Sequence, residues 1–154
     1  MKEDAEPEAA VISGFAQDYT RQTMQTRILM TASALFMVVL GAIASFLPEE
    51  ILRYTGTVPA ALINSVVQAA GALYLGFAAL NWMARGLLIG GIYGRPLALG
   101  NFLHFVVVAI TLVKVLLELR LPIVIALTVI YAVFAAWFGL VLFTHPAKPT
   151  AGSR

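Results

Sequence analysis

Apolar positions in this chain neither alternate with polar ones nor form the narrow stripe of a half-buried helix. They gather in four long runs, 28–47, 60–84, 97–115 and 121–143, separated by short stretches that carry charge, proline and glycine. A helix of roughly 20 residues crosses about 30 Å of hydrocarbon, and each run has that reach. Lipid offers the backbone no hydrogen bonds, so a spanning segment is a helix or part of a closed barrel. The absence of period-two alternation argues against a barrel. The pattern therefore predicts an all-α, polytopic four-helix membrane bundle.

The breaks support these boundaries. Pro48 follows the first run and Pro59 precedes the second, while Pro96 and Pro122 stand where a first helical turn tolerates proline. The charged connection from Lys114 to Arg120 is very short, so the last two helices should form an antiparallel hairpin. Ala42-Ile43-Ala44 resembles a signal-peptidase site. The region before the first run, however, is long and opens with "KEDAEPE", unlike the short basic start of a secretory signal. The first run is therefore expected to be retained.

Composition sharpens the picture. The chain has 154 residues, 60% of them hydrophobic and 12% charged. Soluble domains carry about 25% charged residues. Mean hydropathy is +0.89, which fits a multi-pass protein of the plasma (inner) membrane. With no cysteine, disulfides and thiolate chemistry are excluded. The net charge of +2 forms no basic stripe, so no nucleic-acid partner is expected. Of ten Lys and Arg, seven (Lys2, Arg21, Arg27, Arg85, Arg95, Lys148, Arg154) fall on one side of the four-span layout. Arg53, Lys114 and Arg120 fall on the other. The positive-inside rule then places both termini in the cytoplasm.

The bundle is expected to occupy 28–143, between cytoplasmic tails 1–27 and 144–154. Residues 2–9 have the charge and proline content of a disordered segment. From 10 to 27, Val11, Ile12, Phe15 and Tyr19 share a helical face, which suits either an interfacial helix or a partly ordered tail.

In lipid, small and polar residues mark the faces where helices meet. The expected faces are Thr31, Ala34, Gly41, Ala42 and Ser45 in the first run, and Asn64, Gln68, Gly71, Ala78 and Trp82 in the second. In the third they are Asn101, His104 and Thr111, and in the fourth Thr128, Ala132, Ala135 and Gly139.

The densest polar group lies around "NWMARGLLIGGIYGRPLALGNFLHF". Arg85 and Arg95 bracket a glycine-rich connection in which Gly90, Gly91 and Gly94 permit tight turning. Arg95-Pro96 is expected to hold Arg95 extended before the third helix. That helix would then turn its N-terminal N–H groups toward an anion. Leu87 to Ile92 is too apolar for a solvated loop and should dip into the interface or pack beneath the bundle. Arg95, Arg85, Asn81, Asn101 and His104 are thus the ligand or anion-binding candidates, although topology alone accounts for two arginines here. Asn64 and Gln68, one turn apart, are either interhelical hydrogen-bonding groups or the lining of a cavity. His104 and His145 share a predicted side, the least that axial haem ligation requires. They differ in depth and His145 precedes Pro146, so His104 is expected to be structural or cavity-lining, with no cofactor.

No acidic residue lies inside a run, no His/Asp/Glu spacing suits a metal, and neither a nucleophile elbow nor a phosphate loop is present. No catalytic residues are therefore assigned. The segments "FLPEEILRYTG", "QAAGALYLGFAALNWMA" and "GGIYGRPLALGNFLHF" give the chain a layout that resembles small bacterial four-helix membrane proteins of the DoxX-like and related unknown-function families. The resemblance implies the same fold and carries over no functional residue. The expected function is non-enzymatic, through contacts with membrane lipids, with other membrane proteins or with itself, in the manner of an accessory subunit. The alternative is binding or transport of a small anionic or amphipathic ligand at the cytoplasmic end of the second and third helices. A haem or quinone redox protein is the third.

Overall fold

A computed structural model describes residues 5–87 and 94–144. Among these residues the chain is all helical: α1 (Ala5–Phe46), α2 (Pro48–Tyr54), α3 (Ala61–Ala84), α4 (Gly94–Glu118) and α5 (Pro122–Thr144). Four segments are long and apolar enough to cross a membrane: Thr23–Phe46, Ala61–Ala84, Gly94–Glu118 and Pro122–Phe143. They coincide with the four runs read from the sequence, each end within a turn except the start of the first.

The N-terminal half of α1 departs from expectation. The helix begins at Ala5, within the stretch read as disordered, and continues unbroken for 42 residues. At 1.5 Å per residue it is about 63 Å long, twice the hydrocarbon thickness. Pro7 lies in the first turn, where no N–H has an intrahelical partner to lose. Beyond it Ala9, Ala10, Ala16, Gln17, Arg21 and Gln22 are good helix formers. With no break before Thr23, 10–22 are continuous with the helix that follows. The side chains of Val11, Ile12, Phe15 and Tyr19, like Met1–Asp4, lie outside the described residues.

A tight connection joins α1 to α3. Pro48 opens α2, and Glu49 and Glu50 sit in its first turn. Gly56, at φ 75°, closes it. The N–H of Gly56 donates to the Arg53 carbonyl and that of Thr57 to the Leu52 carbonyl, the pair of bonds that ends a helix when a glycine turns left-handed. Glu49 and Arg53 form an exposed ion pair at 3.3 Å. At the other end, α4 and α5 are linked by three residues, Leu119–Leu121, as the short connection required.

Two tight helix pairs result. The first sets α1 antiparallel to α3 and the second sets α4 against α5. The first is close because its contact residues are small. A Cβ built on Gly71 would lie 2.5 Å from Ser45 Oγ and 2.9 Å from the Gly41 carbonyl oxygen. The two pairs meet instead through large rings. Phe36 of α1 lies 6.5 Å from Phe105 of α4 and 5.3 Å and 5.5 Å from Tyr131 and Phe134 of α5, centroid to centroid. Phe105 and Phe138 are fully buried there.

Four residues expected on meeting faces point outward: Gln68, Trp82, Thr111 and Ala132 are exposed. In α3 the inward stripe runs through Gly71, Ala78 and Asn81, which turns Gln68 and Trp82 away. In α5 the inward face is built from Tyr131, Phe134 and Phe138, because the gap between pairs needs volume. Thr111 closes its hydroxyl on the Val107 carbonyl of its own helix at 2.9 Å and so needs no neighbour.

Candidate functional site

Three helices bring polar side chains to one point. On α3 the spacing Gly71, Ala78, Asn81, Ala84 defines the buried side. On α4 it is Gly94, Ala98, Asn101, Phe105. On α1 the buried residues Met30, Ser33 and Met37 stack one turn apart. Asn81 and Asn101 have no exposed surface and exchange two bonds. Asn81 Nδ2 donates to Asn101 Oδ1 and Asn101 Nδ2 donates to Asn81 Oδ1, each at 2.7 Å.

The remaining amide protons are also used. Asn81 Nδ2 donates to Ser33 Oγ at 3.1 Å and lies 3.7 Å from Met37 Sδ. Asn101 Nδ2 donates to the Leu97 carbonyl at 2.9 Å. Ser33 Oγ donates in turn to the Met30 carbonyl at 3.1 Å. A primary amide has two donor hydrogens, and both asparagines use both. The cluster is closed: it joins α1, α3 and α4 and has no free donor to offer a ligand.

One turn further along α4, His104 sits among aromatic rings. Tyr74 and Phe105 meet it edge to face at 5.2 Å and 5.3 Å, and Phe77 stacks on it at 5.4 Å. Its Nε2 is buried without a hydrogen-bond partner among the described residues. Nearby, Tyr131 donates to the Tyr74 hydroxyl at 2.7 Å, which couples α5 to α3. The imidazole therefore packs as a ring in an aromatic layer.

The other candidates scatter. Arg85 places its guanidinium 3.9 Å above the Trp82 ring, a cation–π contact with its own helix end. Arg95 is exposed in the first turn of α4, not extended ahead of it. Pro96 is tolerated there because first-turn N–H groups lack helical partners. Neither arginine bonds to either asparagine. Asn64 is half-buried, its Oδ1 without a partner, and Gln68 faces outward, so the two do not share a cavity wall. Gly90, Gly91, most of Leu87 to Ile92, and His145 lie outside the described residues. No grouping of His, Asp and Glu among the described residues could hold a metal ion.

Ser33, Tyr74 and Tyr131 were not singled out in the sequence. Ser33 had a signal: it stands on one face with Met30, Met37 and Gly41. Tyr74 shares a face with Ala78 and Asn81 in the same way. Comparison with protein-family models, curated proteins and solved structures finds no match for the chain.

Proposed function

We propose that this is a multi-pass protein of the plasma (inner) membrane, a four-helix bundle with both termini cytoplasmic, that acts without catalysis through protein and lipid contacts in the membrane plane. The mutual saturation of Asn81 and Asn101 carries this reading. The buried polar groups most able to orient a substrate are bonded to one another and hold helices together instead. The exposure of α3 supports it: 11% of its most apolar window is buried, against 33% for α1, so a long helix face is available to a neighbour. The bias of Lys and Arg supports the orientation.

Native mass spectrometry of protein extracted from its own membrane tests the contact reading. A stoichiometric complex that disappears when bulky residues are placed on the outward face of α3 is expected. A strictly monomeric species, unchanged by such residues, would remove the reading. A second reading, retention of an anionic amphiphile at the Arg95 end, is favoured by that arginine's exposure in the first turn of α4. A guanidinium offers an anion bidentate bonds that an ammonium cannot copy. Arg95→Lys should then lower retention of anionic lipid in the same measurement, and equal retention would reduce Arg95 to a topology signal.

A further inference from the structure

Among the described residues, the exposed hydroxyls within α3 and α4 close on their own helices. Ser65 of α3 donates to the Ala61 carbonyl at 2.9 Å, and Thr111 of α4 donates to the Val107 carbonyl at 2.9 Å. Each hydroxyl is satisfied by its own helix and is indifferent to its surroundings. Gln68 is exposed and makes no hydrogen bond within the described residues. It stands seven residues from the start of α3, about 10 Å into the span at 1.5 Å per residue. Exposure at that depth is exposure to hydrocarbon, which satisfies a carboxamide no better than a protein core does.

What covers Gln68 must supply both an acceptor and a donor at the same depth. An identical glutamine on a parallel copy does so by symmetry, since a two-fold axis along the membrane normal brings each residue opposite itself. The molecule already contains this bond: the Asn81–Asn101 pair shows two carboxamides on neighbouring helices satisfying one another at 2.7 Å twice over. The surface around Gln68 permits the approach. Ala72 and Gly76 follow it on the outward side and are exposed, and a Cβ on Gly76 would meet nothing within 4 Å. Small residues let helix backbones come close in lipid.

We infer that α3 pairs with α3 of a second copy of this chain, through reciprocal hydrogen bonds between the two Gln68 carboxamides. The inference rests on the membrane-contact reading above and names the partner.

The chain has no cysteine, so one engineered cysteine reports one contact. Ala72→Cys, oxidised in native membranes, should give a disulfide-linked species of two chains. Val133→Cys, on the exposed side of α5, should not. Adding Gln68→Leu should weaken association in mild detergent by about tenfold, the scale of one or two interhelical hydrogen bonds. Gly76→Leu, placed where the monomer has open space, should abolish the dimer and leave the monomer folded. If Ala72→Cys couples to a different protein, the self-pairing is wrong while the contact reading stands. If it couples to nothing and the native species is monomeric, both fall. A dimer unaffected by Gln68→Leu would overturn the role of the carboxamide.

Discussion

Asn81 and Asn101 face each other across α3 and α4 and donate to one another at 2.7 Å, with no exposed surface on either. Removing one leaves the other buried and half-satisfied. Removing both leaves an apolar contact of similar shape. The cost of the single change exceeds that of the pair whenever the bond matters.

Asn81→Leu and Asn101→Leu should each destabilise the protein by about 1–3 kcal/mol, and the double variant by less than their sum. Coupling between asparagines in lipid should be about 0.6–1.7 kcal/mol. Unfolding from mixed micelles by SDS titration measures it. Strict additivity would show that the pair is geometric coincidence.

Gly71 and Gly100 make a matched comparison. A Cβ on Gly71 would collide with Ser45 Oγ and the Ser45 nitrogen, at 2.5 and 2.6 Å, whereas on Gly100 it would touch only Phe77 at 3.9 Å. Gly71→Ala should cost about 1–3 kcal/mol by forcing α1 and α3 apart. Gly100→Ala should be neutral or slightly stabilising, since alanine favours helix. Thermal denaturation in detergent compares them, and equal midpoints would contradict the close α1–α3 contact.

The four spans were legible because hydrocarbon thickness imposes run length directly on composition. The faces were legible only where small residues decide them. Gly41, Ser45 and Gly71 stood out and do meet, whereas the α4–α5 side is defined by Phe105, Tyr131, Phe134 and Phe138, whose apolarity is the same whether they face lipid or protein. Asn81 and Asn101 were marked as polar groups near one end. Their pairing was not legible, because it depends on helix rotation and depth, which no single run encodes. The grouping of both with Arg85 and Arg95 followed from nearness in sequence, and their saturation by each other sets them apart from it.

His104→Phe should leave stability unchanged or raise it, because the buried Nε2 has no partner among the described residues and a phenyl ring can occupy the same aromatic layer. A clear drop in the unfolding midpoint would mean that Nε2 meets a group outside the described residues. An absorption spectrum of protein from its native membrane completes the test: a stoichiometric Soret band, lost in His104→Phe, would replace the packing role by haem ligation.

Reporter fusions at each terminus should read cytoplasmic, and one inserted after Arg53 should read external. An external C-terminus would overturn the orientation drawn from the Lys and Arg bias.

The division into two tight pairs also orders the molecule's assembly. Each pair is closed by continuous chain, α1 with α3 by Ala84 and α4 with α5 by Thr144. Membrane insertion can therefore finish one hairpin before the next leaves the ribosome. The ring layer and the Asn81–Asn101 bonds need both hairpins present, so they belong to the later docking step. Variants in them should yield chains that are correctly threaded through the bilayer but whose halves have not joined.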